Sequence, residues 1–295
     1  MKKWGFLLIF ILCLGVKAFN IVPFFQGEKD IIITAHNEND KVEGRTASEN
    51  TQKVEILAEQ IYQGNLLLVN SKYPIHSESI KSDVVNLNAR NELVKGYSLF
   101  NNETYLSEEI AHKFSNMTLD AEEDGVSSFL ISSGFRNFGE QNKLYKEMSS
   151  NRALPAGYSE HNLGLSLDVG SSQGKMEVAP EGKWIKENAW KYGFTLRYPE
   201  DKTDITGIQY EPWHIRYVGL PHSAIMKEKN FVLEEYLDFI KEEKHISATV
   251  NGQKYEVFYY PVTENTTINV PANLRYEVSG NNTDGVIVTV FPDNV

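Results

Sequence analysis

Two short segments of this chain carry side chains suited to metal-assisted hydrolysis. One reads Ser159-Glu160-His161-Asn162-Leu163-Gly164-Leu165-Ser166-Leu167-Asp168, and some forty residues later comes Glu211-Pro212-Trp213-His214. They offer two histidines, an aspartate and a spare glutamate. Neutral imidazole and carboxylate oxygen are ordinary zinc ligands, and a catalytic zinc site keeps a fourth position for water. A nearby carboxylate must then take that water's proton. Three ligands and one base are what a zinc hydrolase requires. The only cysteine, Cys13, lies in an N-terminal apolar run, so the folded part has no disulfide, thiolate ligand or cysteine nucleophile. Any metal there must be held by histidine and carboxylate.

Local sequence indicates how these groups are positioned. Gly164 lets the chain turn after His161. Leu165 and Leu167 then alternate with Ser166 and Asp168, the period of a strand with the leucines in the core. Glu211 precedes a proline, which disfavours helix there. Glu211-to-His214 is therefore extended, and both side chains reach one cavity only if that strand is twisted or bulged, with Trp213 packing the other way. Around them the pattern predicts a short buried strand at Leu66–Asn70 and a helix over Leu106–Asp124 with Ile110, Phe114, Met117 and Ala121 on one face. A strand over Ser127–Ser133, a helix from about Phe138 to Ser150, a helix opened by Pro180 and ended at Gly193, and a helix from about Ser223 to Glu243 follow. The last fifty residues change to strands, beginning with a hairpin turned at Asn251-Gly252.

The whole chain has 295 residues, 41% hydrophobic and 12% aromatic, with a net charge of −11. That balance argues against nucleic acid, whose partner face would be basic, and nothing indicates an obligate protein partner. Met1-Lys2-Lys3 followed by the apolar run Trp4–Val16 has the form of a secretory leader. We expect a signal or membrane anchor over 1–25, placing the catalytic part outside the cytoplasm; secretion after cleavage at Val16-Lys17-Ala18 and an ordinary core helix are the alternatives. Residues 26–53 are polar and read as a flexible tether. A catalytic domain over 54–245 and a β module over 246–295 complete the division.

Taken singly, a histidine is more often a core or surface residue than a ligand. His222 competes with His214 as a ligand, His36 lies in the expected tether, and His76, His112 and His245 have no partners in local sequence. The case rests on the two motifs occurring together.

These motifs resemble the signature of the VanY-type zinc D-alanyl-D-alanine carboxypeptidases, S-x-H-x-x-G-x-A-x-D followed by E-x-W-H. Ser133-Gly134-Phe135-Arg136-Asn137-Phe138-Gly139-Glu140-Gln141 is similar to that family's S-G-Y-R-x-x-x-x-Q, and Ile215-Arg216-Tyr217-Val218-Gly219 continues the match. The likeness runs from about Val54 to Glu243, and the terminal β module also looks like that of resistance-associated members. Ser166 stands for the family's alanine, a small change; Phe135 for tyrosine removes a hydroxyl, which puts any hydrogen bond made there in question. The resemblance implies an α+β fold, a VanY/hedgehog-like zinc-peptidase domain with helices packed on a small antiparallel sheet, followed by a small antiparallel β module. It implies one Zn²⁺ on His161, Asp168 and His214, Glu211 as catalytic base, and Arg136 against the substrate or developing oxyanion. Gln141 and Ser159 would hold the C-terminal end of the peptide. The implied substrates are peptidoglycan precursors ending in D-Ala-D-Ala, whose trimming removes the dipeptide that glycopeptide antibiotics bind.

Other readings stay open at this point. A serine D,D-peptidase has only Ser172-Gln173-Gly174-Lys175 to offer, without its partner motifs. An L,D-carboxypeptidase or a wall endopeptidase would share the zinc site. A non-catalytic zinc-bearing wall-binding module would leave Glu211 without a purpose.

Overall fold

The computed structural model describes residues 31–36, 51–148 and 153–292. Along the chain come strands β1 (Ile31–Ala35), β2 (Thr51–Ile56), β3 (Val84–Asn86), β4 (Tyr97–Leu99) and β5 (Tyr105–Ser107), then helix α1 (Glu108–Glu123). Next are β6 (Phe129–Ser133), α2 (Phe138–Glu147), β7 (Ser166–Ser171), α3 (Pro180–Asn188), β8 (Phe194–Tyr198), the single turn α4 (Thr203–Thr206) and β9 (Glu211–Tyr217). The chain ends with α5 (His222–Lys229), α6 (Leu233–Glu243), β10 (His245–Val250), β11 (Gln253–Pro261), β12 (Thr266–Pro271), β13 (Tyr276–Gly280) and β14 (Gly285–Val290).

The site sits on a five-stranded sheet of order β4-β6-β7-β9-β8, antiparallel except for the β4–β6 pair. Leu165, Leu167, Val169 and Ile215 bury one side of it against Ile110, Phe114, Met117 and Ala121 of α1. The face opposite the leucines is left for Ser166 and Asp168. Helix α1 starts where Ser107 Oγ accepts from the Ile110 amide and stops at Gly125, which adopts the left-handed conformation a side chain resists.

A second five-stranded sheet has the order β1-β10-β11-β14-β13. Leu233, Tyr236, Leu237 and Ile240 of α6 pack on its Ile246, Ala248, Val257 and Ile287, in one cluster with Leu66, Leu68, Val218 and Ile225. Asn251 and Gly252 both take positive φ, as a tight hairpin turn between β10 and β11 requires.

Several elements differ from expectation. Within the stretch read as a tether, Ile31–Ala35 pairs with β10, and its last three residues, 51–53, open β2, which pairs with β12. Ile31 is buried with Trp190, Ala224, Val250 and Tyr255, so a short apolar patch plus a ladder suffices to order it. Leu66–Asn70 is buried but joins no sheet; the Arg216 guanidinium donates to the carbonyls of Asn65 and Leu67, and the Leu68 amide donates to the Asn281 carbonyl. The single helix expected over Ser223–Glu243 is two, divided at Asn230, whose positive φ caps α5. The expected membrane anchor is corrected. Among the described residues no helix is long and apolar enough to cross a membrane. The longest, α1, has 16 residues, about 24 Å at the helical rise, against a hydrocarbon core of about 30 Å. Residues 1–25, where the leader and Cys13 fall, lie outside the described residues.

Candidate active site

Strand β7 places Asp168 directly opposite His214 on β9. His161 arrives from the short 3-10 turn Glu160–Asn162 that precedes Gly164, which turns the chain with positive φ. The β9 strand bulges, as Glu-x-x-His demands. Leu196 pairs with Ile215 and Tyr198 with Glu211, two steps on β8 against four on β9. Side chains three apart would leave opposite faces of a regular strand; the extra residues turn Glu211 and His214 into one cleft. Trp213 packs against the main core but also borders that cleft.

His161, Asp168 and His214 form a cluster whose potential ligand atoms all lie within 4.8 Å of one another. His161 Nδ1 donates to the Gly134 carbonyl at 2.6 Å, so in the neutral ring the Nε2 lone pair points at Asp168 Oδ2, 3.3 Å away. A lone pair facing a carboxylate oxygen is unfavourable without a cation between them. His214 Nδ1 lies 2.9 Å from Asp168 Oδ1 and 3.9 Å from Glu211 Oε2. Its Nε2 is buried without a hydrogen-bond partner, 3.5 Å from Glu160 Oε2. A cation on Nδ1 puts the ring proton on Nε2, where Glu160 faces it; ligating histidines ordinarily present their second nitrogen to such a partner. The donor set therefore fits a divalent metal, with neutral imidazole and carboxylate typical of zinc.

Electrostatics agree. Burial disfavours charge on His161, and Arg136 adds to the effect, so its pKa lies below the ordinary histidine value. Burial also raises the Asp168 carboxyl, but His161 and then His214 outweigh it and hold it well below the usual carboxylate range. At His214 burial opposes the charge, yet Asp168 and Glu160 push it up to about 9. The two carboxylates thus draw a positive charge to this point, and a metal would supply it in the proton's place. Burial pushes Glu211 up to about 7, with His214 pulling the other way and Asp168 adding to the rise. A carboxylate whose proton affinity sits near neutrality suits general base and acid work.

The cleft has a volume of about 720 Å³ and is also bordered by Arg136, Gln141, Ser159 and Tyr198. Arg136 Nε and Gln141 Oε1 are buried without partners, whereas Gln141 Nε2 donates to the Leu154 carbonyl. All seven site residues named from the sequence therefore meet here. His222 does not; it is a core residue between Tyr236 (2.6 Å) and Thr289 (2.9 Å), and burial lowers its pKa to about 3. Ser172 and Lys175 are exposed after β7 and do not border the cleft.

Sequence reasoning missed the layer behind the ligands. Glu160 Oε1 accepts from Arg197 Nε at 2.9 Å and from an Arg216 terminal nitrogen at 2.8 Å, while Ser166 Oγ donates to Oε2 at 3.1 Å. Arg197 forks onto both oxygens of Glu234 on α6, each at 2.8 Å. Burial would raise the Glu160 carboxyl, but Arg216 and Arg197 hold it far below the ordinary range. The clue was present, since Glu160 adjoins His161 and Arg216 follows His214 by two, but the partners are too distant in sequence to pair by eye.

Comparison with known proteins agrees with this geometry. The VanY family model, D-alanyl-D-alanine carboxypeptidase, matches residues 103–220. A D-alanyl-D-alanine carboxypeptidase of Enterococcus faecium is 65% identical over 99% of this chain and 97% of its own length. The vancomycin-resistance D,D-dipeptidase VanXYg, solved with a D-Ala-D-Ala phosphinate analogue, shares 32% identity at a TM-score of 0.71, covering 82% of this chain and 99% of that one. VanYB in complex with D-alanine-D-alanine shares 28% identity at a TM-score of 0.50, over 59% of this chain and 97% of that one. A likeness of this extent to a full-length relative, joined to a matching site, means that the chain belongs to the VanY family of D-alanyl-D-alanine carboxypeptidases.

Proposed function

We propose that this cleft binds one zinc ion through His161, Asp168 and His214, and that Glu211 is the base with which the chain removes the C-terminal D-alanine from peptidoglycan precursors ending in D-Ala-D-Ala. Such trimming contributes to glycopeptide resistance. The observation that carries the reading is His161 Nε2 aimed at the Asp168 carboxylate, which also faces His214, with a second carboxyl, Glu211, beside them. When bound, zinc lowers the pKa of a water in its open position toward neutrality and polarises the scissile carbonyl.

The chain's own residues do the rest. Glu211 takes the proton of the attacking water and returns it to the leaving D-alanine amine, which its raised proton affinity permits. Arg136 supplies an unused buried donor for the developing oxyanion or the substrate carboxylate. Gln141 Oε1 is a free acceptor, suited to a peptide N–H, and Ser159 offers a hydroxyl on the same wall. Water is the nucleophile, so no acyl-enzyme forms.

Product analysis on a pentapeptide ending in D-Ala-D-Ala tests the reading. Free D-alanine and a tetrapeptide support it, with penicillin having no effect. Release of the intact dipeptide, or cleavage only after the terminal D-alanine has gone, would place the activity with dipeptidases or L,D-carboxypeptidases.

A further inference from the structure

A second group of metal-type ligands stands outside the cleft, in the sheet that holds β1. His36 follows β1 directly, His245 and Ser247 lie on β10, and Glu256 lies on β11 opposite Ser247. The His36 amide donates to the His245 carbonyl at 3.1 Å, and the two imidazoles stack with centroids 4.5 Å apart. His245 Nε2 lies 2.8 Å from Glu256 Oε2, and Ser247 Oγ donates to that same oxygen at 2.6 Å. His36 Nε2 completes the set, 2.6 Å from Ser247 Oγ. One potential ligand atom from each of His36, His245 and Glu256 falls within 4.8 Å of the others, and all three side chains are half-buried.

We propose that His36, His245 and Glu256 form a second site for a divalent metal of the zinc, cobalt or nickel class, which pins β1 to the C-terminal sheet. Two imidazole nitrogens and one carboxylate oxygen are the donors that borderline metals prefer. His245 Nε2 faces the Glu256 carboxylate, His36 Nε2 faces the Ser247 hydroxyl bonded to that same carboxylate, and Phe258 stacks on His245 to fix its plane. Glu256 is ionised as a ligand must be: burial opposes this, but His245, Lys254 and Ser247 hold it down to about 2. Binding exchanges the hydrogen bonds through Ser247 for metal bonds, releasing any Nε2 protons to solvent. Among the described residues the strand that is pinned pairs on one side only, with β10. Its anchoring side chain, Ile31, lies at the opposite end from His36, so a metal bond there would hold the end that the apolar cluster does not.

Metal titration of the full chain, already carrying its first zinc equivalent, tests this. Cobalt(II) or zinc should bind as one further equivalent and slow amide hydrogen exchange in residues 31–35. His36→Gln and Glu256→Gln keep hydrogen-bonding capacity; each should abolish the second equivalent and the added protection while D-alanine release stays as in the wild type. The proposal is overturned if wild type takes up one equivalent only, if the second persists in both variants, or if exchange in β1 is indifferent to it. None of these outcomes depends on which peptide the cleft cuts.

Discussion

Replacing Glu160 by glutamine separates the two roles the structure gives it. Arg197, Arg216 and Glu160 are fully buried and Glu234 partly so, with two cations balancing two anions. Glutamine keeps the volume but leaves one buried positive charge uncompensated, which costs about 3–5 kcal/mol. A domain in the middle of the ordinary range, about 10 kcal/mol, survives that loss. Glu160 also faces His214 Nε2 at 3.5 Å, and removing such an outer partner of a ligating histidine lowers metal affinity about 10–100-fold. Glu234→Gln is the control, because it breaks the same charge balance through Arg197 without reaching His214. Denaturant unfolding of the metal-free proteins should show both variants destabilised. Competition with a chromophoric chelator should show weakened zinc binding in Glu160→Gln alone. Unchanged zinc affinity in Glu160→Gln would refute the claim that this carboxylate orients the ligand. Unchanged stability in both would refute the reading of the buried network.

Other outcomes follow from the same geometry. Glu211→Gln should retain zinc while D-alanine release falls about 10²–10⁴-fold, the usual worth of a general base, whereas His214→Ala should lose metal and activity together; metal analysis beside a turnover assay decides. In Gly134→Ala the new Cβ would meet the Tyr105 carbonyl oxygen at 2.2 Å, and Gly134 is the residue whose carbonyl holds His161. Thermal melts should show a loss of about 1–3 kcal/mol, with weaker zinc retention. Burial would raise the Asp284 carboxyl, but hydrogen bonds from Lys241, Asn281 and Tyr259 bring it to about 2. Its folded pKa lies below the unfolded value of about 3.9, so its stabilisation is present above that value and fades as pH falls toward 2. Asp284→Asn should flatten the dependence of the denaturation midpoint on pH across that window.

The grouping of the candidate site was legible because each of its motifs is local. His161 and Asp168 flank one glycine turn, and Glu211 and His214 share one strand. Helix α1 was legible for the same reason, its apolar face and its Ser107 cap being written in consecutive residues. What was hidden depends on contacts between distant parts of the chain. Ile31–Ala35 looks like part of a polar tether until β10, more than two hundred residues away, supplies its hydrogen bonds. Leu66–Asn70 reads as a strand, yet its carbonyls answer to the Arg216 side chain. Asn230 gives no propensity signal strong enough to announce the break between α5 and α6. Glu160 is invisible as a supporting residue without Arg197, Arg216 and Glu234 beside it.

Anomalous diffraction at the zinc edge, from crystals of the purified protein, tests the central claim most directly. The account predicts a peak in the cleft bounded by His161 Nε2, an Asp168 oxygen and His214 Nδ1, with the Glu211 carboxyl nearby but outside bonding distance. A cleft without a peak, or a metal ligated by Glu211 in place of one of those three, would contradict it.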